Sequence, residues 1–126
     1  MILDLLFKKK ETAAKMKYGK WKEFNKHAVL IAEGHYVGDK KHGLWREYFD
    51  SGELMIEESF IEGVPNGLYV TFHRNGIVLS EGRFLLGRRE GEFKIFDEDG
   101  NHIKSLWFKA DNLINELEIT KCAKSC

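Results

Sequence analysis

The chain has 126 residues, of which 43% are apolar and 13% are aromatic, with a single proline. This composition excludes a disordered chain, and the length fits one ordinary domain or one short repeat array. Twenty basic residues balance twenty acidic ones. Nucleic acid is therefore not an expected partner, because proteins that bind it usually carry a basic excess.

Residues 1–18 form a leader that precedes the periodic part of the chain. Its start, MILDLLFKKK, places the apolar residues before the lysines, which is the reverse of a secretory signal. No window approaches the roughly 18 apolar residues of a membrane span, so we expect a cytoplasmic chain without a membrane segment. A short helix with Ile2, Leu3, Leu6 and Phe7 on one face would suit three roles: a cap on the following sheet, a partner-binding element or a weak membrane anchor.

Residues 19–115 are periodic, with units that span 19–42, 43–66, 67–90 and 91–114. Residues 116–126 are expected to form a final strand and a frayed tail. Each unit begins with a glycine that is followed two positions later by an aromatic residue, at Trp21, Trp45, Tyr69 and Phe93. Another aromatic column lies seventeen positions after that glycine, at Tyr36, Phe60, Phe84 and Phe108. Agreement in this many columns indicates a repeat array.

The local sequence of each unit predicts a β-hairpin. DSG, RNG and EDG separate runs rich in aromatic and β-branched residues, and such short glycine-containing turns favour hairpins. A second turn is predicted where Asp39, Gly63, Gly87 and Asp111 recur. The expected fold is all-β: a single-layer antiparallel meander of about four hairpins, with the short N-terminal helix as an optional addition. Gly34 and Gly82 should leave room beside the second aromatic column.

The pattern Gly-x-aromatic-x-x-aromatic-x-x-x-Gly, followed by Glu, an aromatic residue and Gly, resembles the MORN-repeat variant of the bacterial YwqK-type antitoxin proteins. The units GLWREYFDSGELMIEESFIEGVPN and GLYVTFHRNGIVLSEGRFLLGRRE match it best. The first unit departs at Ala28 and Asp39, and the fourth at Ser105 and Asp111, as terminal copies often do. The resemblance implies a binding or neutralising protein, and its motif carries no catalytic residue.

Two sets of residues are candidates for partner binding. The first aromatic column, Trp21, Trp45, Tyr69 and Phe93, either packs within the sheet or offers an aromatic strip to a partner. Residues 28–126 carry twelve basic and seventeen acidic residues, so Glu53, Glu58 and Glu62 are expected to attract a basic partner.

The column of Glu33, Glu57 and Glu81 is the most enzyme-like feature. Carboxylates about 5–10 Å apart can divide the roles of acid and base, and neighbours two strands apart fall near the wide end of that range. The alternative is a solvated face or a carboxylate bonded to a repeat turn. A periodic residue usually serves the repeat, so we expect a protein without enzymatic activity.

The remaining polar residues suggest no cofactor. The histidines have no HxH or HxxxH spacing, and Cys122 and Cys126 are confined to the C-terminal tail, so we expect neither a metal site nor a disulfide staple. Arg88 and Arg89 lie at a turn that either holds a phosphate or is an exposed polar turn.

These observations predict a protein-binding module, with an antitoxin or immunity-type protein as the first hypothesis and a toxin encoded nearby as its partner. The alternative is a scaffolding MORN-repeat protein that organises an assembly or contacts membrane lipid. Self-association is compatible with both.

Overall fold

The computed structural model describes residues 15–119, and these residues form one antiparallel sheet of nine strands in sequence order. No helix occurs among them, so the predicted all-β meander is confirmed. This part of the chain accordingly contains no helix that could cross a membrane. The proposed N-terminal helix and the two cysteines lie outside the described residues. The strands are β1 Gly19–Phe24, β2 Leu30–Val37, β3 Lys40–Tyr48, β4 Leu54–Ile61, β5 Val64–Phe72, β6 Val78–Leu85, β7 Arg88–Phe96, β8 His102–Lys109 and β9 Asn112–Glu118.

The turn within each repeat is a three-residue loop. In the second unit the Gly52 amide donates to the Phe49 carbonyl at 2.8 Å, and the Phe49 amide donates to the Glu53 carbonyl at 2.8 Å. Of the three loop residues, only the third has a positive φ, which is 101° at Gly52 and 88° at Gly76. This is the geometry of a type I turn closed by a left-handed residue, and it explains why glycine recurs at that single position.

The turn between repeats is tighter and more strained. Its two central residues both have positive φ, as in Glu62–Gly63 at 49° and 81° and in Leu86–Gly87 at 48° and 86°. Two consecutive left-handed residues define a type I′ turn, which matches the twist of a hairpin. Leu86 is unusual here, because a bulky side chain rarely adopts this backbone conformation.

The type I′ turns also tie consecutive repeats together. The amide of Gly63 donates to the carbonyl of Lys41 in the preceding unit at 2.8 Å, and the equivalent bond recurs at each of these turns. The departures at Asp39 and Asp111 reinforce this tie, because their carboxylates accept from the amides of Lys17 at 2.6 Å and Arg89 at 2.8 Å. The Arg89 bonds hold the pKa of Asp111 below its usual range. The two terminal units thus replace a turn glycine with an aspartate that accepts further hydrogen bonds.

One side of the sheet, here called the ring face, carries both aromatic columns. Rings from adjacent strands meet edge to face, with centroids 4.9 Å apart for Tyr36 and Trp45 and 5.3 Å apart for Phe93 and Phe108. Such contacts add to the energy of apolar burial. The ring face is therefore the core of a protein that has no second layer. Its rings are Trp21, Tyr36, Trp45, Phe60, Tyr69, Phe84, Phe93 and Phe108.

Two glycines lie directly beneath two of the three buried rings, those of Trp45 and Phe93. A Cβ atom at Gly34 would lie 2.3 Å from the Trp45 ring, and one at Gly82 would lie 2.6 Å from the Phe93 ring. The expected room at these glycines therefore exists, and the rings of the following strand occupy it. Units two and four have Glu58 and Leu106 at the equivalent position. The packing thus repeats every second unit, and we call this spacing the two-unit period.

Exchanging the turn residue of the first unit should test the hairpin geometry. Ala28 has a φ of 61°, and a left-handed conformation costs a residue with a Cβ about 1–2 kcal/mol. We expect Ala28→Gly to stabilise the protein, by less than this because glycine also gains freedom on unfolding. Gly76→Val should destabilise it by more than about 1 kcal/mol. Urea unfolding measures both, and equal midpoints for Gly76→Val and the parent would contradict the turn geometry.

Candidate binding surface

Most side chains of the first aromatic column pack within the sheet. Trp45 is 3% exposed and Phe93 is 7% exposed, whereas Trp21 and Tyr69 are half-buried. The Trp45 indole N–H donates to the His35 carbonyl at 2.9 Å. Of the two interpretations left open by the sequence, the geometry favours packing within the sheet.

Cationic side chains cover parts of the same ring face. The Lys41 ammonium lies 4.7 Å from the centre of the Trp45 ring and 5.2 Å from that of Phe60. The Arg89 guanidinium lies 4.3 Å from the centre of the Phe108 ring. These cation–π contacts and the apolar stems of the side chains shield the rings, so the ring face does not present a bare aromatic strip.

The three candidate glutamates occupy separate places. Glu53 and Glu62 flank opposite ends of β4, roughly 30 Å apart at the usual rise per residue. Glu53 accepts a hydrogen bond from the Ser51 hydroxyl, which lowers its pKa. Glu58 lies on the ring face, where its backbone pairs with those of Trp45 and Tyr69. The structure therefore brings together Trp45, Glu58 and Tyr69, but the three glutamates do not form one acidic surface.

Glu58 is the one candidate glutamate with a partly buried carboxyl. Burial raises its pKa, and the neighbouring Glu47 raises it further, while the Lys41 ammonium lowers it. Burial likewise raises the pKa of the Tyr69 phenol. Within residues 15–119, Glu58 makes no salt bridge.

The column of Glu33, Glu57 and Glu81 lies on the opposite side of the sheet. Glu33 accepts a hydrogen bond from the Tyr48 hydroxyl, and Glu57 accepts one from the Arg46 guanidinium at 3.1 Å. Glu81 faces Lys94 across β6 and β7. Glu33 and Glu57 thus bind side chains of β3 and not a repeat turn, so their structural role differs in its partner from the one that the sequence suggested.

Replacing Glu33 should change the pKa of the Tyr48 phenol, which donates a hydrogen bond to it. Partial burial and the hydrogen bond to Glu33 together raise the pKa of Tyr48 to about 12. Because that pKa lies above the unfolded value near 10, the stabilisation is present below about pH 10 and is lost as pH rises toward 12. We expect Glu33→Gln to lower the pKa of Tyr48, measured from tyrosinate absorbance, with Tyr48→Phe assigning the signal. Glu81→Gln is the matched control, and an equal shift in that variant would contradict the assignment.

Ser105 replaces glutamate in the fourth unit and is 1% exposed. Its hydroxyl donates to the Glu92 carboxylate at 2.7 Å and lies 2.8 Å from Nε2 of His102. That nitrogen also lies 3.0 Å from the Lys104 carbonyl, which can only accept. With its proton on Nε2, His102 would donate to both oxygens. The Ser105 hydroxyl is engaged with Glu92, so the arrangement satisfies a buried polar group.

The remaining polar candidates are dispersed by strand alternation. Among residues 15–119, no three His, Cys, Asp or Glu side chains lie close enough to hold a metal ion. Arg89 stacks on Phe108 and pairs with Asp111 at 2.9 Å, whereas Arg88 lies on the opposite side of the sheet, beside Leu85. The two arginines therefore do not converge on a common phosphate.

The structure shows an exposed apolar surface whose residues were not among the candidates named from the sequence. Residues that immediately neighbour the rings in sequence point to the other side of the sheet, because successive side chains alternate. Six of these outward aliphatic side chains are exposed between β2 and β6, and we call them the aliphatic patch. Its members are Val37, Leu44, Ile61, Val64, Leu68 and Leu85. The sequence did contain a signal for these residues. Five of them directly precede or follow a residue of an aromatic column, and Val64 lies across a type I′ turn from Ile61.

Two shallow grooves lie beside the patch at the type I′ turns. One, of about 470 Å³, is lined by Met16, Val37, Gly38, Lys40, His42 and Glu62. The other, of about 390 Å³, is lined by Leu85, Leu86, Arg88, Glu90 and Ala110. Apart from Met16, the lining residues of the first groove correspond one to one with those of the second, two units further along the chain. The grooves therefore follow the same two-unit period as the buried rings.

The described residues form a single-layer sheet of hairpin repeats, with one packed face and an exposed aliphatic patch on the other face. The family model described as MORN repeat variant matches residues 41–62 and 89–109, so these two segments are similar to that repeat. These two matches begin at Lys41 and Arg89, which are equivalent positions two units apart. Repeats of this kind are generally protein- or membrane-binding modules. A comparison with curated proteins gives no match.

Proposed function

We propose that this chain is an antitoxin or immunity-type protein that neutralises one protein partner by covering its surface. The aliphatic patch carries the proposal. Its exposed aliphatic side chains recur on neighbouring strands of one face of the sheet, and exposed apolar patches commonly mark interaction sites. The rings on the other face keep the sheet rigid, so the surface is presented without a large ordering cost.

The proposal includes a toxin or enzyme encoded nearby as the partner, a cytoplasmic location and no catalytic activity of the chain itself. Neutralisation by occlusion requires only a stable complex. The hydrogen bonds of Ser105, Glu33 and Glu57 described above support a non-catalytic role, because these groups are already engaged within the repeat.

A scaffolding function is the second candidate, and one observation favours it. Every residue of β9 is exposed, and one edge of this strand is unpaired within residues 15–119. Unpaired edge strands can add further strands from another chain, which would extend the sheet into an assembly. Leu113, Ile114 and Leu117 would then contribute apolar contacts.

Affinity capture from native lysate of the source cells separates the two candidates. We expect one protein in a one-to-one or two-to-two complex, and the purified partner should lose its activity when the complex is reformed. A Leu44→Asn and Leu68→Asn variant that retains the parent's unfolding midpoint should lose the complex, whereas Ile103→Asn should retain it. Recovery of lipid or of homopolymers, without a stoichiometric partner, would overturn the antitoxin proposal and favour the scaffold.

A further inference from the structure

The second groove is bordered by a leucine whose exposure and backbone both require an explanation. Leu86 is 73% exposed and has a φ of 48°. Its amide donates to the Asn66 side chain at 2.9 Å, which holds the turn in place. The equivalent positions carry Gly38, Glu62 and Ala110, so the fold does not require a leucine. A strained, exposed and anchored apolar residue is a candidate contact for a partner.

Three exposed cations adjoin the patch, and each groove also carries a glutamate, Glu62 in the first and Glu90 in the second. Lys40, Arg83 and Arg88 are exposed and adjoin the patch, with Lys40 paired to Val37, Arg83 to Leu68 and Arg88 to Leu85. None of the three makes a salt bridge within the part of the chain that the structure describes. These three cations are complementary to acidic residues of a partner, whereas the acidic balance of residues 28–126 predicts a basic partner.

The two grooves set the length of such a partner. They lie four strands apart, which is roughly 19 Å at the usual strand spacing, with Ile61 and Val64 between them. In a helix, two residues fourteen positions apart share a face and are about 21 Å apart. One helix lying across the strands could therefore place an apolar side chain in each groove, while acidic residues along its flanks meet the cations.

We propose that the aliphatic patch and its two grooves bind an acidic amphipathic helix of the protein partner, with Leu86 as an anchor of the contact. This inference rests on the proposed protein-binding function and specifies its surface. Discrete grooves suit the side chains of a protein better than a lipid surface.

Fluorescence anisotropy with three synthetic helical peptides tests the proposal on the full chain. The first peptide has leucines fourteen positions apart and glutamates on its flanks; the second replaces the glutamates with lysines; the third is acidic with leucines seven positions apart. We expect the first to bind at least tenfold more tightly than either of the others. The double variant Arg83→Glu and Arg88→Glu should reverse the preference between the acidic and basic peptides.

Leu86→Asn provides a readout that a purely structural role would not give. Asparagine tolerates the left-handed backbone, so this variant should unfold at higher urea concentration than the parent and yet bind the first peptide at least fivefold more weakly. The proposal is overturned by equal binding of all peptides, by no binding, by insensitivity to the charge reversal, or by preferential binding to phosphatidylserine-containing vesicles. A stoichiometric partner could also be captured equally well by the parent and by these variants. That result would contradict the assignment of this surface but not the proposed antitoxin function.

Discussion

Truncating Trp45 to alanine is expected to destabilise the protein by about 3–5 kcal/mol, the usual range for a buried aromatic residue. Trp45 is 3% exposed, its ring lies 4.9 Å from that of Tyr36, and its indole N–H donates to the His35 carbonyl. Alanine would remove these contacts and leave a cavity above Gly34. Urea unfolding followed by circular dichroism measures the loss.

Trp21→Ala is the matched control, because Trp21 belongs to the same sequence column but is only half-buried at the first strand. Its loss of stability should be clearly smaller. If Trp45 were instead an anchor for the partner, the alanine variant would keep its unfolding midpoint and lose only partner binding, and that result would contradict the internal packing of this ring.

The hairpin array could be predicted from the sequence because its information is local and repeated. The aromatic columns and the turn glycines recur at the same places in successive units, and each hairpin needs only its own turn chemistry and its neighbour. The two turn types were not distinguished, however. Leu86 and Glu62 occupy left-handed positions where glycine or asparagine would be expected. Contacts from outside the turn, such as the hydrogen bond from the Leu86 amide to Asn66, help to fix this conformation.

The candidate binding surface was harder to predict because both faces of a single-layer sheet carry apolar side chains. Periodicity placed Trp45 and Leu44 on opposite faces, but it did not indicate which face was covered. Lys41 and Arg89 stack over the rings and so cover the ring face. Contacts of this kind cannot be recognised from the columns of the repeat. The net charge was equally uninformative, since Glu53 and Glu62 lie at opposite ends of a strand and cannot act as one patch.

Substituting a glycine that lies beneath a buried ring tests the two-unit period of ring packing. Gly82 does not have the positive φ found at the turn glycines, and in such a conformation replacement by alanine usually stabilises a protein by about 0.4–1 kcal/mol. Here the added Cβ atom would lie 2.6 Å from three atoms of the Phe93 ring, which is closer than packed atoms tolerate. We therefore expect Gly82→Ala to destabilise the protein by about 1–3 kcal/mol, as overpacking does.

A double-mutant cycle identifies the cause of this loss. Phe93→Leu alone should be destabilising because it removes ring contacts with Phe84 and Phe108. Combined with Gly82→Ala it should cost less than the sum of the two single changes, because the smaller side chain frees space for the new methyl group. Strict additivity between Gly82→Ala and Phe93→Leu would mean that the ring does not rest on Gly82, and the two-unit period of ring burial would lose its physical basis.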